Sequence, residues 1–477
     1  MSDKNFYITS PIFYPNANLH MGHAYTMTLC DAIARHQKLV NKKEVLFLTG
    51  SDENTGKVVK AAEDSDVSVD IFLENITSGF RNLYTALGID YDIFVRTTDK
   101  EDHWPGAIDM WQKLSATGDI YKSKYVGLYC PQCEAFYTEK ELIEGKCPLH
   151  GIVPETLEEE NYFFKLSKYT GEIKSRILSD ELKISPETRK NEILALLDRG
   201  LEDVSFSRPA STVPHAIPVP NDPDQVMYVW CDALTSYITG VGFGTDDAAF
   251  NKWWPASVHV IGKDILRFHA AIWPAMLLSA GLPLPKELLV HGFILSGGQK
   301  MSKSRGNVVD PLDLITEYGA EAVRYYLLAK ISPFEDGDLT LESFKNAYNG
   351  ELANGLGNLV SRILTMAETY LDKPIAGAKL ANSEEISRAM ETHEVQKAMG
   401  HIWNEISGLD AYIQMNQPFK VIKVDPEQGK DQVLFLVKKL QEISFMLEPF
   451  LPETSLKIQQ LIRENKKPET PLFVRKD

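Results

Sequence analysis

Short apolar runs and helix-length stretches alternate along the first part of the chain. Phe6-Tyr7-Ile8-Thr9 is an apolar run of the kind a buried strand shows, and Ala24 to Val40 after it reads as a helix. Pro11, Pro15, Asn16 and Asn18 mark the loop between them. Glu44 to Thr49 is a second buried strand, ending in the loop Gly50 to Gly56 ahead of a helix from Lys57 to Glu63. Residues 117–225 break this alternation, and it resumes near Val226. Met227-Tyr228-Val229-Trp230 and Val258-His259-Val260-Ile261 read as strands, Ile265 to Ser279 as a helix, and His291 to Ile294 as a last strand. Asp310-Pro311 opens a helix with an acidic cap and a proline in its first turn, and Ala320 to Lys330 is a connecting helix. From about Leu341 the pattern is helical, with apolar positions three and four apart such as Ile386 and Met390, or Ala398, Ile402 and Ile406. The expected fold is α/β, a Rossmann-like doubly wound parallel sheet, followed by an all-α helix bundle. The segments are 1–116 and 226–290 for the two halves of the sheet, 117–225 for an insertion, 291–345 for a linking segment and 346–477 for the bundle.

Composition narrows the class without naming an activity. The chain has 477 residues, 44% hydrophobic and 24% charged, as soluble globular proteins do. No run approaches the roughly 18 apolar residues of a membrane span, and the N-terminus has no signal-peptide core, so a cytoplasmic protein is expected. Five cysteines are too few for a disulfide framework, and three of them cluster. The net charge of −16 argues against a strongly basic nucleic-acid surface. Residues 346–477 hold 16 basic and 18 acidic residues, so the first 345 carry −14 of that charge.

Four groups of residues carry candidate chemistry. His20-Met21-Gly22-His23 stands between a strand and a helix, where helix N–H groups and imidazoles favour phosphate. Two helix-start histidines, exposed or half-satisfied, are the plainer reading. Lys300-Met301-Ser302-Lys303-Ser304-Arg305-Gly306-Asn307 follows Ser296-Gly297-Gly298-Gln299, a basic loop suited to phosphate or simply a solvated surface. Asp52 ends a strand and can hold a substrate ammonium, or cap the next helix. Cys130-x2-Cys133-x13-Cys147-x2-His150 has the form of two knuckles around one tetrahedral Zn2+, a closed and therefore structural site.

The pair HMGH and KMSKS, about 280 residues apart, resembles the signatures of class I aminoacyl-tRNA synthetases. SPIFYPNANLHMGHAY, FLTGSDENTGKV, MYVWCDALTSY, VIGKDILRFHAAIWPAML and HGFILSGGQKMSKSRGN resemble the methionyl family among them, in order over nearly the whole chain. The resemblance implies activation of L-methionine by ATP with Mg2+, then transfer to initiator and elongator tRNA(Met). It implies phosphate chemistry at His20, His23, Lys300 and Lys303, and ATP contacts also at Gly22, Gly262, Asp264, His291, Gly292 and Phe293. It matches Ile12, Tyr14, Trp230, Ala233, Tyr237, Ile265, His269 and Trp273 with a methionine pocket, and Asp52 with its amino group. Apolar and aromatic walls suit a polarizable thioether, though aromatics at helical spacing also serve packing. The insertion is implied to be the zinc-bearing connective domain, without a separate editing domain. The bundle is implied to bind the anticodon through Asn358, Arg362 and Phe419, where the family most often has tryptophan in place of this phenylalanine. A chain that ends soon after Pro471-Leu472-Phe473 is expected to be a monomer.

Overall fold

The computed structural model describes residues 4–132, 135–137, 139–301, 307–374 and 383–477, without the side chains of residues 125, 126, 135, 136, 140, 157–159 and 300. Two compact units share the chain. One comprises residues 1–18, 45–81 and 91–290, the other residues 19–44, 82–90 and 291–477.

The first unit is built on a six-stranded sheet. Its order is Ile93–Arg96, Glu44–Ser51, Asn5–Phe13, Val258–Gly262, Glu287–His291, Lys183–Ser185. The order reverses direction at Asn5–Phe13, the switch point at which doubly wound sheets bind ligands. Glu44–Ser51 with Ile93–Arg96, Asn5–Phe13 with Val258–Gly262, and Glu287–His291 with Lys183–Ser185 pair in parallel. The outermost strand comes from the insertion, so residues 117–225 do more than interrupt the sheet: they lend it an edge. Asn5–Phe13 runs through Pro11, which the sequence places in a loop. On the side of Val258–Gly262 its register joins Ile8 with Val258 and Thr9 with His259, ahead of the proline that lacks an N–H.

Elsewhere the insertion is antiparallel. Ala135–Tyr137, Ile120–Cys130, Glu155–Phe164 and Val204–Ser205 lie side by side in that order. The expected strand Met227–Trp230 is corrected. Asp222–Met227 is a strand of a small antiparallel sheet, and a helix, Val229–Thr239, starts directly after Tyr228. A four-residue apolar run does not tell strand from helix. The expected helix Ile265–Ser279 is also more complex: a tight turn Lys263–Ile265, a wide π turn Phe268–Ile272, then α-helix Trp273–Ser279. The core of this unit holds Trp111, Phe164, Phe206, Trp230, Trp254 and Trp273.

The second unit is mainly helical. Its first helix, Met21–Leu39, starts three residues before the expected Ala24 because His20 is its cap. Helix Ala320–Lys330 follows the expected bounds. Beyond it, Leu341–Ala347 continues through a π turn at Tyr348–Gly357 into Asn358–Tyr370. Helices Glu384–Glu391, Val395–Asn416, Pro418–Val424, Pro426–Leu447 and Pro452–Glu464 complete the bundle. One fully buried ion pair ties this unit together: Arg324 Nη2 meets Asp31 Oδ2 at 2.7 Å. Arg324 Nε also donates to Phe450 O at 2.8 Å, and Asp31 accepts from Arg35 Nε at 2.8 Å and the Asp90 N–H at 3.0 Å. Glu321, on the same helix as Arg324, accepts the Thr454 N–H at 2.8 Å. Among the described residues no helix is long and apolar enough to cross a membrane.

Candidate active site

In the first unit, Trp230, Ala233 and Tyr237 fall on one face of helix Val229–Thr239, three and four residues apart. All three are buried, as are His269 and Trp273, whereas Ile12, Tyr14 and Ile265 are half-buried. Trp230 stacks on Phe268 with ring centroids 3.7 Å apart and planes 5° from parallel. The polar atoms among these rings follow one hydrogen-bond logic. His269 Nδ1 lies 3.0 Å from Ile265 O, which can only accept, so Nδ1 carries the hydrogen. Nε2 is then the acceptor for the Tyr237 hydroxyl at 2.8 Å. Burial lowers the His269 pKa from 6.5 to about 4, so the ring is neutral at neutral pH. Behind it, Trp273 Nε1 donates to His259 Nε2 at 3.3 Å, and His259 Nδ1 meets Thr9 Oγ1 at 2.7 Å. Burial, then His269, hold His259 well below the usual imidazole range. Tyr7 donates to Tyr237 O at 2.6 Å and fixes the helix backbone.

The remaining expected residues of this unit sit at strand ends. Ile12 packs where Gly50 passes: a Cβ on Gly50 would lie 2.8 Å from Ile12 Cγ2 and 2.3 Å from Val95 O. Lys57 Nζ stands 3.9 Å over the Tyr14 ring. Asp52 is buried in the turn after Glu44–Ser51, with its N–H donating to Phe13 O at 2.9 Å. It does not cap the following helix, because Thr55 does, accepting the Lys57 N–H. Gly262 ends a sheet strand and Asp264 lies exposed just beyond it. Asp264 lines a cavity of about 220 Å3 with Tyr228, Arg267 and Phe268.

Sequence reasoning passed over Asp232, Asn54 and His103, which form a buried polar chain beside these residues. An acid between Trp230 and Ala233 on a buried stretch is a signal for Asp232. His103 offers none, since its partner lies 129 residues away.

Three of the four zinc-type ligands are described. Cys130 Sγ and Cys147 Sγ lie 4.0 and 3.8 Å from His150 Nδ1, and the three donor atoms are within 4.8 Å of one another. Tetrahedral bonds of about 2.3 Å to sulfur and 2.0–2.1 Å to nitrogen give edges near these lengths, so the donor set fits a zinc ion. Cys133 lies outside the described residues.

In the second unit the HMGH residues are the head of helix Met21–Leu39. His20 Nδ1 accepts the Gly22 N–H at 3.0 Å, and His23 Nδ1 accepts the His20 N–H at 3.1 Å, a reciprocal cap. With Nδ1 an acceptor in both neutral rings, the hydrogen of each sits on Nε2. The ring centroids are 3.9 Å apart. Burial lowers the pKa of His23 well below 6.5, with His20 and His291 adding to the effect. Gly22 serves this cap directly, since a Cβ there would lie 2.9 Å from His20 Cε1. His291 is buried, edge-on to Tyr25 at 5.3 Å, with Nε2 2.8 Å from Thr26 Oγ1. At Gly292 the close neighbour is backbone: a Cβ would lie 2.2 Å from Glu335 O. Phe293 is half-buried, its N–H donating to Asp336 Oδ1 at 2.9 Å. Lys300 ends a hairpin, Ile294–Ser296 with Gln299–Lys300, turned by Gly297 and Gly298 at φ 62° and 71°. The Lys300 side chain and all of Lys303 lie outside the described residues.

In the bundle, Asn358 is exposed at the start of its helix, while the half-buried Arg362 is ion-paired to Asp410. Phe419 is 40% exposed, after Pro418 at a helix start, so its ring can still stack.

The comparisons with known proteins cover the same residues. The family described as tRNA synthetases class I (M) matches residues 6–152 and 140–364, and the anticodon binding domain of methionyl tRNA ligase matches residues 365–471. The methionine–tRNA ligase of Clostridium acetobutylicum is 42% identical over 473 residues, covering 96% of this chain and 73% of that one. That of Rhizobium meliloti is 38% identical, covering 96% of this chain and 91% of its own. The solved structure of Mycobacterium tuberculosis methionyl-tRNA synthetase in complex with methionyl-adenylate superimposes with a TM-score of 0.88 at 37% identity, over 96% of this chain and 93% of that one. The free form of that enzyme superimposes with a TM-score of 0.83 at 33% identity, over 99% and 98%. By sequence along its whole length and by fold, the chain belongs to the methionyl class I tRNA synthetases.

Proposed function

We infer that the chain is a methionine–tRNA ligase. The methionine carboxylate attacks the α-phosphorus of ATP, the bond to the β-phosphate bridging oxygen breaks, and pyrophosphate leaves. The terminal ribose hydroxyl of tRNA(Met) then attacks the carbonyl carbon of the mixed anhydride, and AMP leaves with the ester formed. The substrate carboxylate is the nucleophile, so the protein's work is positioning and stabilising phosphate charge.

The observation that carries this reading is the neutral, hydrogen-bonded aromatic cluster in a chain so like a synthetase that holds methionyl-adenylate. Trp230, Ala233, Tyr237, Ile265, His269 and Trp273, with Ile12 and Tyr14, take the side chain, and Asp52 takes the ammonium. His20 and His23 donate from Nε2 to phosphate oxygens, and Lys300 and Lys303 follow the phosphates. Gly22, Gly262, Asp264, His291, Gly292 and Phe293 complete the ATP site. Mg2+ accompanies ATP and supplies charge neutralisation between phosphates. Cys130, Cys133, Cys147 and His150 hold one structural Zn2+. Asn358, Arg362 and Phe419 read the anticodon of initiator and elongator tRNA(Met), in a monomeric enzyme. The five segments 1–116, 117–225, 226–290, 291–345 and 346–477 are its functional divisions.

Amino-acid-dependent ATP–pyrophosphate exchange with each of the twenty amino acids tests the reading. Exchange with methionine alone is expected. Exchange with another amino acid overturns the pocket, and none with any overturns the adenylation chemistry. Elemental analysis should give one zinc per chain, and Cys147→Ala keeping a full equivalent would refute the ligand set.

A further inference from the structure

Asp232 is a buried acid to which the reaction above gives no part. It sits between Trp230 and Ala233 on the pocket helix and is 1% exposed. Its two oxygens take hydrogen bonds from two other elements. Oδ2 accepts from Asn54 Nδ2 at 2.7 Å, and Oδ1 accepts from His103 Nε2 at 2.5 Å. His103 is itself held, with Nδ1 2.7 Å from Thr239 Oγ1 at the far end of the same helix.

Asn54 is the second residue after Asp52. Residues Asp52, Glu53, Asn54 and Thr55 are all buried in the turn that ends the strand. That turn is held at Phe13 O, at Arg96 and at His215, and two further supports bear on Asn54 and its neighbour. One is Thr97, whose Oγ1 accepts the Glu53 N–H at 2.8 Å and whose carbonyl accepts from Asn54 Nδ2 at 2.8 Å. The other is Asp232. Thr97 ties the turn to the neighbouring sheet segment, whereas Asp232 ties it to the helix that bears Trp230, Ala233 and Tyr237.

We propose that Asp232 is a positioning residue for recognition of the substrate amino group. Through Asn54 it sets the Asp52 carboxylate in register with the aromatic residues of its own helix, and His103 fixes Asp232 in turn. The inference rests on Asp52 being the residue that takes the ammonium. An amino acid offers its ammonium and its side chain at a fixed separation, so the two subsites must hold a fixed separation too. A charge-assisted hydrogen bond weakens when its carboxylate is displaced. The apolar subsite discriminates only modestly, so it cannot recover the loss.

The test uses the full-length enzyme and two inhibitors of ATP–pyrophosphate exchange. Methioninol keeps the ammonium, and 4-(methylthio)butanoate lacks it. Asp232→Asn is isosteric, but its new N–H2 faces the donors of Asn54 or His103. It should weaken methioninol by about tenfold to hundredfold, as loss of a well-placed hydrogen bond to a charge does. It should change inhibition by 4-(methylthio)butanoate by less than about threefold. Asn54→Ala, which leaves the His103 bond intact, should repeat that selective loss. The double variant should be no worse than either single one, because all three break one link. Equal weakening of both inhibitors, or additive losses, would overturn the proposal and leave a purely structural network. Asp52→Asn separates the two levels of inference. If it keeps the preference for methioninol, the ammonium role of Asp52 is wrong. If it loses that preference while Asp232→Asn and Asn54→Ala keep it, the positioning role alone is wrong. Should Asp232→Asn fail to fold, Asn54→Ala carries the same two outcomes.

Discussion

In the aromatic cluster, His269 is bonded through both ring nitrogens, to Ile265 O and the Tyr237 hydroxyl, and His259 is bonded to Thr9 and Trp273. At the head of helix Met21–Leu39, backbone N–H groups take Nδ1 of His20 and of His23 as acceptors. Burial lowers the pKa of His23, His259 and His269 alike, so charge does not separate the two regions. Hydrogen-bond direction does. A neutral imidazole has one donor and one acceptor. In the cluster the protein uses both and obtains a fixed wall. At the helix head the backbone takes the acceptor, Nδ1, and so sets the hydrogen on Nε2. The proposed donation to phosphate at HMGH would therefore need no protonated His23, contrary to the simplest picture of histidine as a cation.

That contrast can be broken most sharply at His23. His23→Ala removes both a cap and an Nε2 donor. Adenylate formation in a single turnover should slow by about 10²–10³-fold, the usual cost of one transition-state donor. Methionine affinity measured in the same samples should hold. A matching loss of methionine affinity would mean that the two regions do not divide the work. Tyr237→Phe tests the wall: without its hydroxyl donor, His269 Nε2 is unsatisfied, and the KM for methionine should rise about tenfold while that for ATP stays.

A pH titration sharpens the comparison further. The His269 pKa falls from 6.5 in the unfolded chain to about 4 in the folded one. Between these values the unfolded chain binds a proton that the fold refuses. Stability is thus complete above pH 6.5 and declines as the pH falls toward 4, at up to roughly 1.4 kcal/mol per pH unit for each such group. His36, buried and also lowered to about 4, adds the same sign. Melting curves of His269→Gln should therefore show a flatter acid limb than wild type, not a level one. The smallest effect is expected at Gly22→Ala. Its Cβ displaces the His20 ring from the cap, for a loss of about 1 kcal/mol read as a lower Tm.

Much of this was legible in the chain because the signals were local. The strand at Phe6–Thr9, the histidines before a helix and the Cys-x2-Cys spacing each announce themselves within a few residues. Trp230 did not: Met227 to Trp230 is apolar and short, and only tertiary packing decides that Tyr228 ends a strand and Val229 starts a helix. The edge strand Lys183–Ser185 is three residues long, below what any periodicity reveals. Asn54, His103 and Asp232 meet from three separate elements, and no spacing rule joins them. Gly22 was legible as a necessary glycine, but the nearest reason for it is the imidazole two residues before it.

The buried bond from Arg324 to Asp31 has a consequence for anyone who would shorten this protein. One family description ends at residue 364 and the next begins at 365, which invites a cut at Tyr370, the end of helix Asn358–Tyr370. After such a cut the guanidinium would keep Asp31 but lose Phe450 O, and Glu321 would lose the Thr454 N–H. Two ionisable groups would each lose a hydrogen-bond partner at an open seam, on the helix that holds the head carrying HMGH, and a hydrogen bond to a charged group contributes about 1.5–3 kcal/mol. What looks like a detachable module is thus a keystone. Recombination that swapped the helical bundle would have to carry residues 450–454 with it, or invent a new seat for Arg324.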